Sequence, residues 1–544
     1  MYDQRFETKH NGAMDFGPYG LGACINPMQN QLEGLNVGIN WGMQNLEVGF
    51  MGSRWEGAPL GKLSTLERDE MIRLAKLNKV NLTVHAPLKD LGGFNGKTFD
   101  ETTRLDAFYD MKQSLLFADN IGNETGVRHI PVVVHSSNGT PGNPNPKEQV
   151  YYADRETGAV DMMKERTQTL SKETVSKIIK DEDFVKANFH MTDEVNQVGT
   201  LSPIGWLKIQ DERARNEMGA QLASVDYNIY IIEDRLKRAK MQGISENDEQ
   251  VKALYEERNS LEFNREMVKN QMDAMRKKYN RDNPRFVTTD QMAIEKVSDT
   301  VAELAQEAYK MKSQPMIAVE NIYPEMAIGR IEDLNKTVLE SRRKFEVEMA
   351  PKIGADAASK AANEIIGATL DIGHLNLWLK YKDPNDPEGK RYYSKQDIED
   401  WAMKAQETAK HIHLTDNFGD EDNHLPIGWG NAPIAEIVKK YKDAGFKGKM
   451  ILETPGVGEK GHQMMIGIPA SFETMNYQLS PSKGWADATA AYFTAGYAFT
   501  GFQNFPDINF QTYGLGFSGL PYASGAQLPG AKGEQSKFSG APMS

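Results

Sequence analysis

Cysteine is almost absent: Cys24 is the only one in 544 residues. That excludes an intramolecular disulfide and any zinc site built from clustered thiolates. Long apolar runs are missing as well. No stretch reaches the roughly 18 consecutive apolar residues of a membrane span, and the opening MYDQRFETKHNGAMDFGPYG lacks the apolar core of an export signal. Positive charge is not in excess. The formal net charge of −13 argues against a large phosphate-binding surface, because counterion release needs clustered Lys and Arg, although an acidic protein can still carry a local basic patch. With 39% hydrophobic and 26% charged residues the balance is that of an ordinary soluble protein. The expectation is a cytoplasmic protein with no membrane partner, long enough for two or more structural units.

What the chain does have is a regular alternation. Short apolar, β-branched runs occur at LGACI (21–25), LEVGF (46–50), LTVHAP (82–87) and PVVVHS (131–136). They resume at MIAVEN (316–321), ATLDIGH (368–374), HIHLTD (411–416) and MILETP (450–455). Segments of helical period, such as TRLDAFYDMKQSLLFADNIG and APIAEIVKKYKDAGFKG, lie between most of them. Eight β-then-α units whose strands are continuously apolar predict a closed (β/α)8 TIM barrel of the α/β class rather than an open sheet.

One gap breaks the rhythm. From His135 to Glu320 the chain runs 185 residues, where a βα unit needs about 30–45. Met218, Leu222, Val225, Ile229, Ile232 and Leu236 form one heptad stripe, and Val251, Leu254, Arg258, Leu261, Arg265, Val268, Met272, Met275 and Tyr279 a second. Between them, Gly243 reads as a stop and Ser245 as an N-cap. These features predict an antiparallel helical, coiled-coil insertion after strand four, serving as a structural or homo-oligomerising arm or as a substrate lid. The barrel is then discontinuous, over 1–150 and 290–465, with the insertion at 150–290. A C-terminal extension follows at 466–544. From about Phe505 it is rich in Gly, Ser, Pro and aromatics, a composition expected to be mobile or to fold only on a partner. The apolar AAYFTAGYAF (490–499) is too short to span a bilayer.

Six of the eight runs end in a potential metal ligand: His85, His135, Glu320, Asp371, His413 and Glu453. The C-terminal ends of parallel barrel strands share one mouth, so these side chains converge although they are scattered from position 85 to 453. Three more lie just beyond: His374, Asp422 and His424. A lone strand-end histidine is usually hydrogen-bonded scaffolding, but a buried acid needs pairing or a metal. Five histidines and four acids at equivalent positions point to a shared site for a divalent ion, Zn²⁺ or Mn²⁺ first. His411, two residues before His413, falls one layer deeper and reads as core or support. His10, His129, His190 and His462 lie outside the pattern.

The motifs VHAP, VVVHSS, AVENI, LDIGH, HIHLTDNFGDEDNHLPIGWG and ILETP together resemble the superfamily of xylose-isomerase-like TIM barrels. That superfamily joins sugar isomerases and epimerases with the endonuclease IV type of abasic-site nuclease (AP endonuclease family 2). The resemblance implies a metal held by Glu320, Asp371, His413 and Glu453, with Glu320 and Glu453 also exchanging protons with substrate. In the nuclease branch His85, His135, His374, Asp422 and His424 would complete a cluster of three zinc ions. Departures from that branch favour the isomerase side. Only NFGDE separates HLTD from Asp422, and Ile372 and Gly373 stand where the nucleases have Thr and Cys. Even against the isomerases, Gly428-Trp429-Gly430 replaces the usual Gly-Glu-Gly. The leading expectation is therefore an isomerase or epimerase acting on a sugar or sugar phosphate, through an enediolate stabilised by one divalent ion. The alternative is a three-metal abasic-site phosphodiesterase with DNA as partner. A third reading is a barrel without catalysis that serves as a scaffold.

Overall fold

The computed structural model describes residues 20–27, 30–40, 43–49, 63–280, 282–384, 386 and 390–453. The C-terminal extension, including 490–499 and the segment from Phe505, lies outside the described residues, as does Phe50 of the second apolar run. Two compact units divide the chain: one takes in residues up to Pro144 and from Asp290 onward, the other Asn145–Thr289.

The first unit opens with β1 (Leu21–Cys24), α1 (Gln31–Asn40), β2 (Asn45–Gly49), α2 (Thr65–Asn78), β3 (Asn81–His85), α3 (Glu101–Thr125) and β4 (Pro131–His135). Helix starts follow local chemistry. Ser64 and Glu67 form a reciprocal capping box on α2, Asp100 caps α3 through the Thr103 N–H, and Gly126 ends α3 at φ +78°.

The second unit then contributes β5 (Gln149–Asp154), β6 (Val160–Lys164), β7 (Leu170–Ser171), α4 (Lys172–Ile178), α5 (Glu182–Asn188), β8 (Phe189–Asp193) and β9 (Val198–Leu201). Two long helices follow, α6 (Pro203–Met241) and α7 (Glu249–Lys278), and then β10 (Phe286–Thr288). Its strands make two antiparallel three-stranded sheets, β10-β5-β6 and β7-β9-β8. These strands were not anticipated among the charged helices. QVYYAD is nonetheless β-branched and aromatic enough to build one, and Val150, Tyr152 and Met163 join Phe189, Leu201 and Trp206 in a core of their own. The helices α6 and α7 form an antiparallel hairpin whose buried seam holds Val225, Ile229 and Ile232 on one side, Val251 and Met272 on the other. Asp226 pairs with Arg265 across it at 2.6 Å. Gly243 does end the first helix, at φ +74°. The cap of α7 is Asp248, whose carboxylate accepts the Gln250 N–H, rather than Ser245. Ser245 instead accepts the Asn247 N–H and shapes the turn, so the helix begins three residues later than expected.

The barrel resumes with α8 (Thr289–Lys310), β11 (Met316–Glu320), α9 (Ile331–Ile353), α10 (Ala355–Ile365), β12 (Ile366–Asp371), α11 (Ile372–Asn376), α12 (Lys395–Lys404), β13 (Ala409–Leu414), α13 (Ile434–Asp443) and β14 (Lys449–Leu452). Eight parallel strands close in the order β1-β2-β3-β4-β11-β12-β13-β14, and β14 returns to pair with β1. All eight apolar runs read from the sequence supply a barrel strand, and the expected TIM barrel is the fold. One run ends differently: after Asp371 the IGH of ATLDIGH turns into α11, because the Asp371 carboxylate caps it by accepting the His374 N–H at 2.6 Å. Core side chains such as Val132, Val134, Ile317, Val319, Leu370, Ile412 and Leu452 are wholly buried, as strands covered on both faces require.

Candidate metal centre

Strand alternation sorts the residues inside the barrel into layers. In the upper layer His85, His135, Glu320 and Asp371 are the last residues of β3, β4, β11 and β12. His413 is the last residue but one of β13, and Glu453 follows β14 directly. One step down lie Glu47 on β2, Thr83 on β3 and His411 on β13, with Glu47 in register with Thr83 and Gly49 with His85.

The upper layer converges. Ligand atoms of Glu320, Asp371, His413 and Glu453 all lie within 4.8 Å of one another, as do those of His85, His135 and Glu320. His413 Nδ1 stands 2.8 Å from Glu320 Oε1, 3.1 Å from Glu453 Oε2 and 3.9 Å from Asp371 Oδ2. Glu320 Oε2 faces His85 Nε2 at 3.4 Å and His135 Nε2 at 3.3 Å. The loop residues gather separately around Asp422, whose Oδ2 is 3.4 Å from His374 Nε2 and 2.9 Å from His424 Nε2. The other ring nitrogens are occupied by backbone carbonyls: Ala86 for His85, Asn321 for His374 and Glu453 for His424. Such contacts fix ring orientation and leave Nε2 facing inward.

Two features of this set suit a cation. First, buried polar atoms lack hydrogen-bond partners among the described residues where the acids and histidines meet: Glu320 Oε2, Glu453 Oε2, His85 Nε2, His413 Nε2 and Asp422 Oδ1. Buried polar atoms are rarely left so. Second, the acids and histidines perturb one another's ionisation. Burial opposes ionisation of Glu320, yet the His413 charge holds its carboxyl well below the usual range. Glu453 is likewise held at about 2 against burial, chiefly by His413. Asp371 cannot share the same proton, and burial together with the neighbouring Glu453 and Glu320 pushes it up to about 7. His85 rises to about 9 because Glu320 outweighs its burial, whereas burial takes His135 down to about 4. Protons on His85 and His413 offset the ionised acids, and a divalent ion bound by oxygen and imidazole nitrogen would do the same. The residues present fit such an ion.

The loop carrying Asp422 and His424 is built around Asp416. Its buried carboxylate accepts the N–H groups of Asn417, Gly428, Gly430 and Ala432 at 2.8–3.1 Å. Gly428 sits at φ +89°, and a Cβ on Gly430 would meet Asn417 O and Asp416 Oδ1 at 2.3 Å. Both glycines of Gly428-Trp429-Gly430 are thus required by backbone, while Trp429 is exposed.

Glu47 is the residue that strand-end reasoning missed, since it lies inside LEVGF rather than after it. An acid in the middle of an apolar run was the available signal. Tyr323, whose ring meets that of His374 edge-on at 4.8 Å, was missed as well, and no spacing marked it.

Residues 245–469 match the model of a family described as "Xylose isomerase-like TIM barrel". The match takes in β11 to β14 with Glu320, Asp371, His374, His413, Asp422, His424 and Glu453; Glu47, His85 and His135 precede it. The resemblance read from the sequence is borne out over that span. An uncharacterised protein of Methanocaldococcus jannaschii is 30% identical over 95 residues, which span 17% of this chain and 27% of that protein. Among solved structures, a D-tagatose 3-epimerase-like protein aligns at 14% identity and TM-score 0.38, over 84% of this chain and 98% of its own. A protein of Anabaena variabilis, provisionally described as a sugar phosphate isomerase/epimerase, gives 9% and 0.35 over 88% and 98%. The catalytic domain of a β-amylase from Paenibacillus polymyxa gives 9% and 0.32 over 86% and 99%. Scores this low bear on neither the fold nor the reaction of this chain.

Proposed function

We propose that this protein is a divalent-metal-dependent isomerase or epimerase acting on a sugar or sugar phosphate, with Glu320 and Glu453 as its proton-transfer pair. Glu320, Asp371, His413 and Glu453 would hold the ion, Zn²⁺ or Mn²⁺ by donor type. When bound, it supplies Lewis-acid polarisation of the substrate carbonyl.

The observation that carries the reading is the placement of the two glutamates. They come from β11 and β14, three places apart in the eight-membered ring, and both reach His413 Nδ1. Neither Oε2 makes a hydrogen bond among the described residues, that of Glu453 even though it lies 3.1 Å from His413 Nδ1. Two carboxylates approaching from separated strands can work on opposite sides of one carbon. One takes the proton next to the carbonyl; the other returns a proton to the opposite face, giving an epimer, or to the adjacent carbon, giving an isomer. His85 and His135 offer inward Nε2 atoms that can orient sugar hydroxyls.

The direct test is proton exchange. Protein loaded with Mn²⁺ or Zn²⁺ and incubated in D₂O with a panel of aldoses, ketoses and their phosphates should introduce deuterium next to the carbonyl of at least one, read by NMR. Glu320→Gln and Glu453→Gln should each abolish the exchange while leaving the thermal unfolding of the protein intact. Exchange at near-native rates in either variant would sink the assignment.

A second reading has its own observation. The trio His85, His135 and Glu320, and Asp422 between His374 and His424, extend the centre by the five positions a three-ion phosphodiesterase uses. In that reading about three ions bind per chain, and an abasic DNA duplex is cleaved at low salt.

A further inference from the structure

We propose that Glu47 is a positioning residue for the metal centre: held one layer below the mouth, its carboxylate sets the His413 ring so that Nδ1 is the nitrogen presented to Glu320, Asp371 and Glu453. The inference rests on the metal-binding reading of that quartet.

Glu47 is fully buried in the middle of β2. Burying a carboxylate is expensive unless every lone pair has work. Its Oε2 accepts from Thr83 Oγ1 at 2.8 Å and lies 2.9 Å from His411 Nε2. Its Oε1 lies 3.0 Å from His413 Nε2. That last approach is off the hydrogen-bond axis, so neither atom counts as satisfied. His413 is therefore gripped by carboxylates at both nitrogens, Glu47 on the Nε2 side and Glu320 with Glu453 on the Nδ1 side.

A neutral imidazole has one N–H and one lone pair, and only the lone pair binds a metal. In the metal-free protein His413 donates Nδ1–H to Glu320 Oε1 at 2.8 Å. When that proton gives way to an ion, Glu47, which as an ionised carboxylate accepts but cannot donate, favours keeping the remaining proton on Nε2. Thr83 and His411 in turn hold the Glu47 carboxylate in one rotamer. Support thus runs from β3 and β13, through β2, back to the ligand on β13. Glu47, His411 and His413 also meet the 4.8 Å condition for a group that could hold an ion. That occupancy would make His413 bridge two ions and would take His411 Nε2 away from Oε2.

The experiment uses the full chain, stripped of metal, with Zn²⁺ as probe. Stoichiometry and dissociation constant come from competition with a chromophoric chelator. Melting temperatures are measured with and without Zn²⁺, for wild type, Glu47→Ala, Glu47→Gln and Glu47→Asp. Glu47→Ala should weaken binding about 10- to 100-fold with unchanged stoichiometry, the usual effect of losing an outer partner of a ligating histidine. Glu47→Gln should lose less, because its amide oxygen can still accept from His413 while its NH₂ donates to His411. Glu47→Asp, one methylene too short to reach both histidines, should fall nearer to Ala; if Ala fails to fold, the ordering of Gln above Asp carries the test. A merely structural role would lower the metal-free melting temperature and leave the dissociation constant alone. Affinities of all folded variants within about twofold of wild type would overturn the inference by itself, as would loss of a whole ion, which would make Glu47 a ligand. A wild-type protein that binds no ion would overturn the metal reading, and this inference with it.

Discussion

Asp416→Asn tests how the mouth is built. The carboxylate accepts from Asn417 and Ala432 on Oδ1 and from Gly428 and Gly430 on Oδ2. An amide can keep one pair of these bonds, but its NH₂ then points at the other two N–H groups. Hydrogen bonds to a charged acceptor are worth about 1.5–3 kcal/mol each, so losing two costs about 3 kcal/mol or more. The cost should stay local. The segment from Asp416 to Ala432 is also tied down by Asn376 to Asn417 and Asn431, by Asn417 to Gly373 O and by His424 to Glu453 O. Losing the Asp416 bonds should therefore loosen the stretch around Gly428–Ala432 while the barrel stays folded. Hydrogen exchange followed by mass spectrometry should show peptides covering 426–432 exchanging about a hundredfold faster, the factor that corresponds to about 3 kcal/mol. Strand peptides at 316–320 and 366–371 should be unchanged. Binding by Asp422 and His424 should weaken in parallel, since the same loop carries both. Exchange within threefold of wild type at 426–432 would refute the claim that Asp416 fastens the loop.

His424→Ala separates the two enzyme readings: the isomerase reading expects the principal ion to be retained, the phosphodiesterase reading expects one of three to be lost, and elemental analysis of variant and wild type decides. Removing residues 145–289 and joining Pro144 to Asp290 through a short glycine linker should leave a folded, metal-binding barrel, because Asn143 already hydrogen-bonds Asp290 at 2.6 Å; an insoluble or non-binding product would show the insertion to be integral. Zn²⁺ binding at pH 7 should release at least one proton. His413, driven well above its ordinary value by Glu47 and Glu320 against burial, must give its proton up to ligate. Calorimetry in buffers of different ionisation enthalpy measures the release, and none would contradict the assignment. Asp290 is pushed up to about 6 by burial and by Asp333. Its folded value lies above the unfolded one near 3.9, so its charge costs stability that appears as pH rises from about 4 through 6. Asp290→Asn should therefore stabilise by about 1–3 kcal/mol at pH 7 and by little at pH 4, as urea titrations at the two pH values would show; an equal effect at both would refute the linkage.

The barrel was legible because its strands are buried on both faces, so runs such as PVVVH and MIAVE stand out as unbroken apolar stretches. The strand-end acids and histidines were legible for the same reason, each following such a run. Glu47 was not, because reading runs for their ends ignores what they contain. The register shows what alternation alone could have given: Gly49 sits beside His85, so the residue two before Gly49 shares an inward face with the residue two before His85, which is Thr83. Inside the insertion, charge on α6 and α7 drew attention away from the strands at 149–201, whose runs are short and half-exposed. Ser245 reads as the cap in the sequence and Asp248 is the cap in the structure, because both residue types cap well and only the backbone path chooses between them.

The antiparallel pairing of β5 with β10, which sets Tyr152 opposite Thr288, has a kinetic meaning. β4 and β11 must pair across about 180 residues of chain, and at about 5–20 residues per second the growing chain waits on the order of 10–40 s between making them. During that time β4 presents an open edge. The insertion has its own core and can fold within the wait. Once Tyr152 meets Thr288, the span left to close shrinks roughly fourfold, which lowers the loop-closure cost by about 1 kcal/mol. The insertion then acts as a clip that delivers the second half of the barrel to the first.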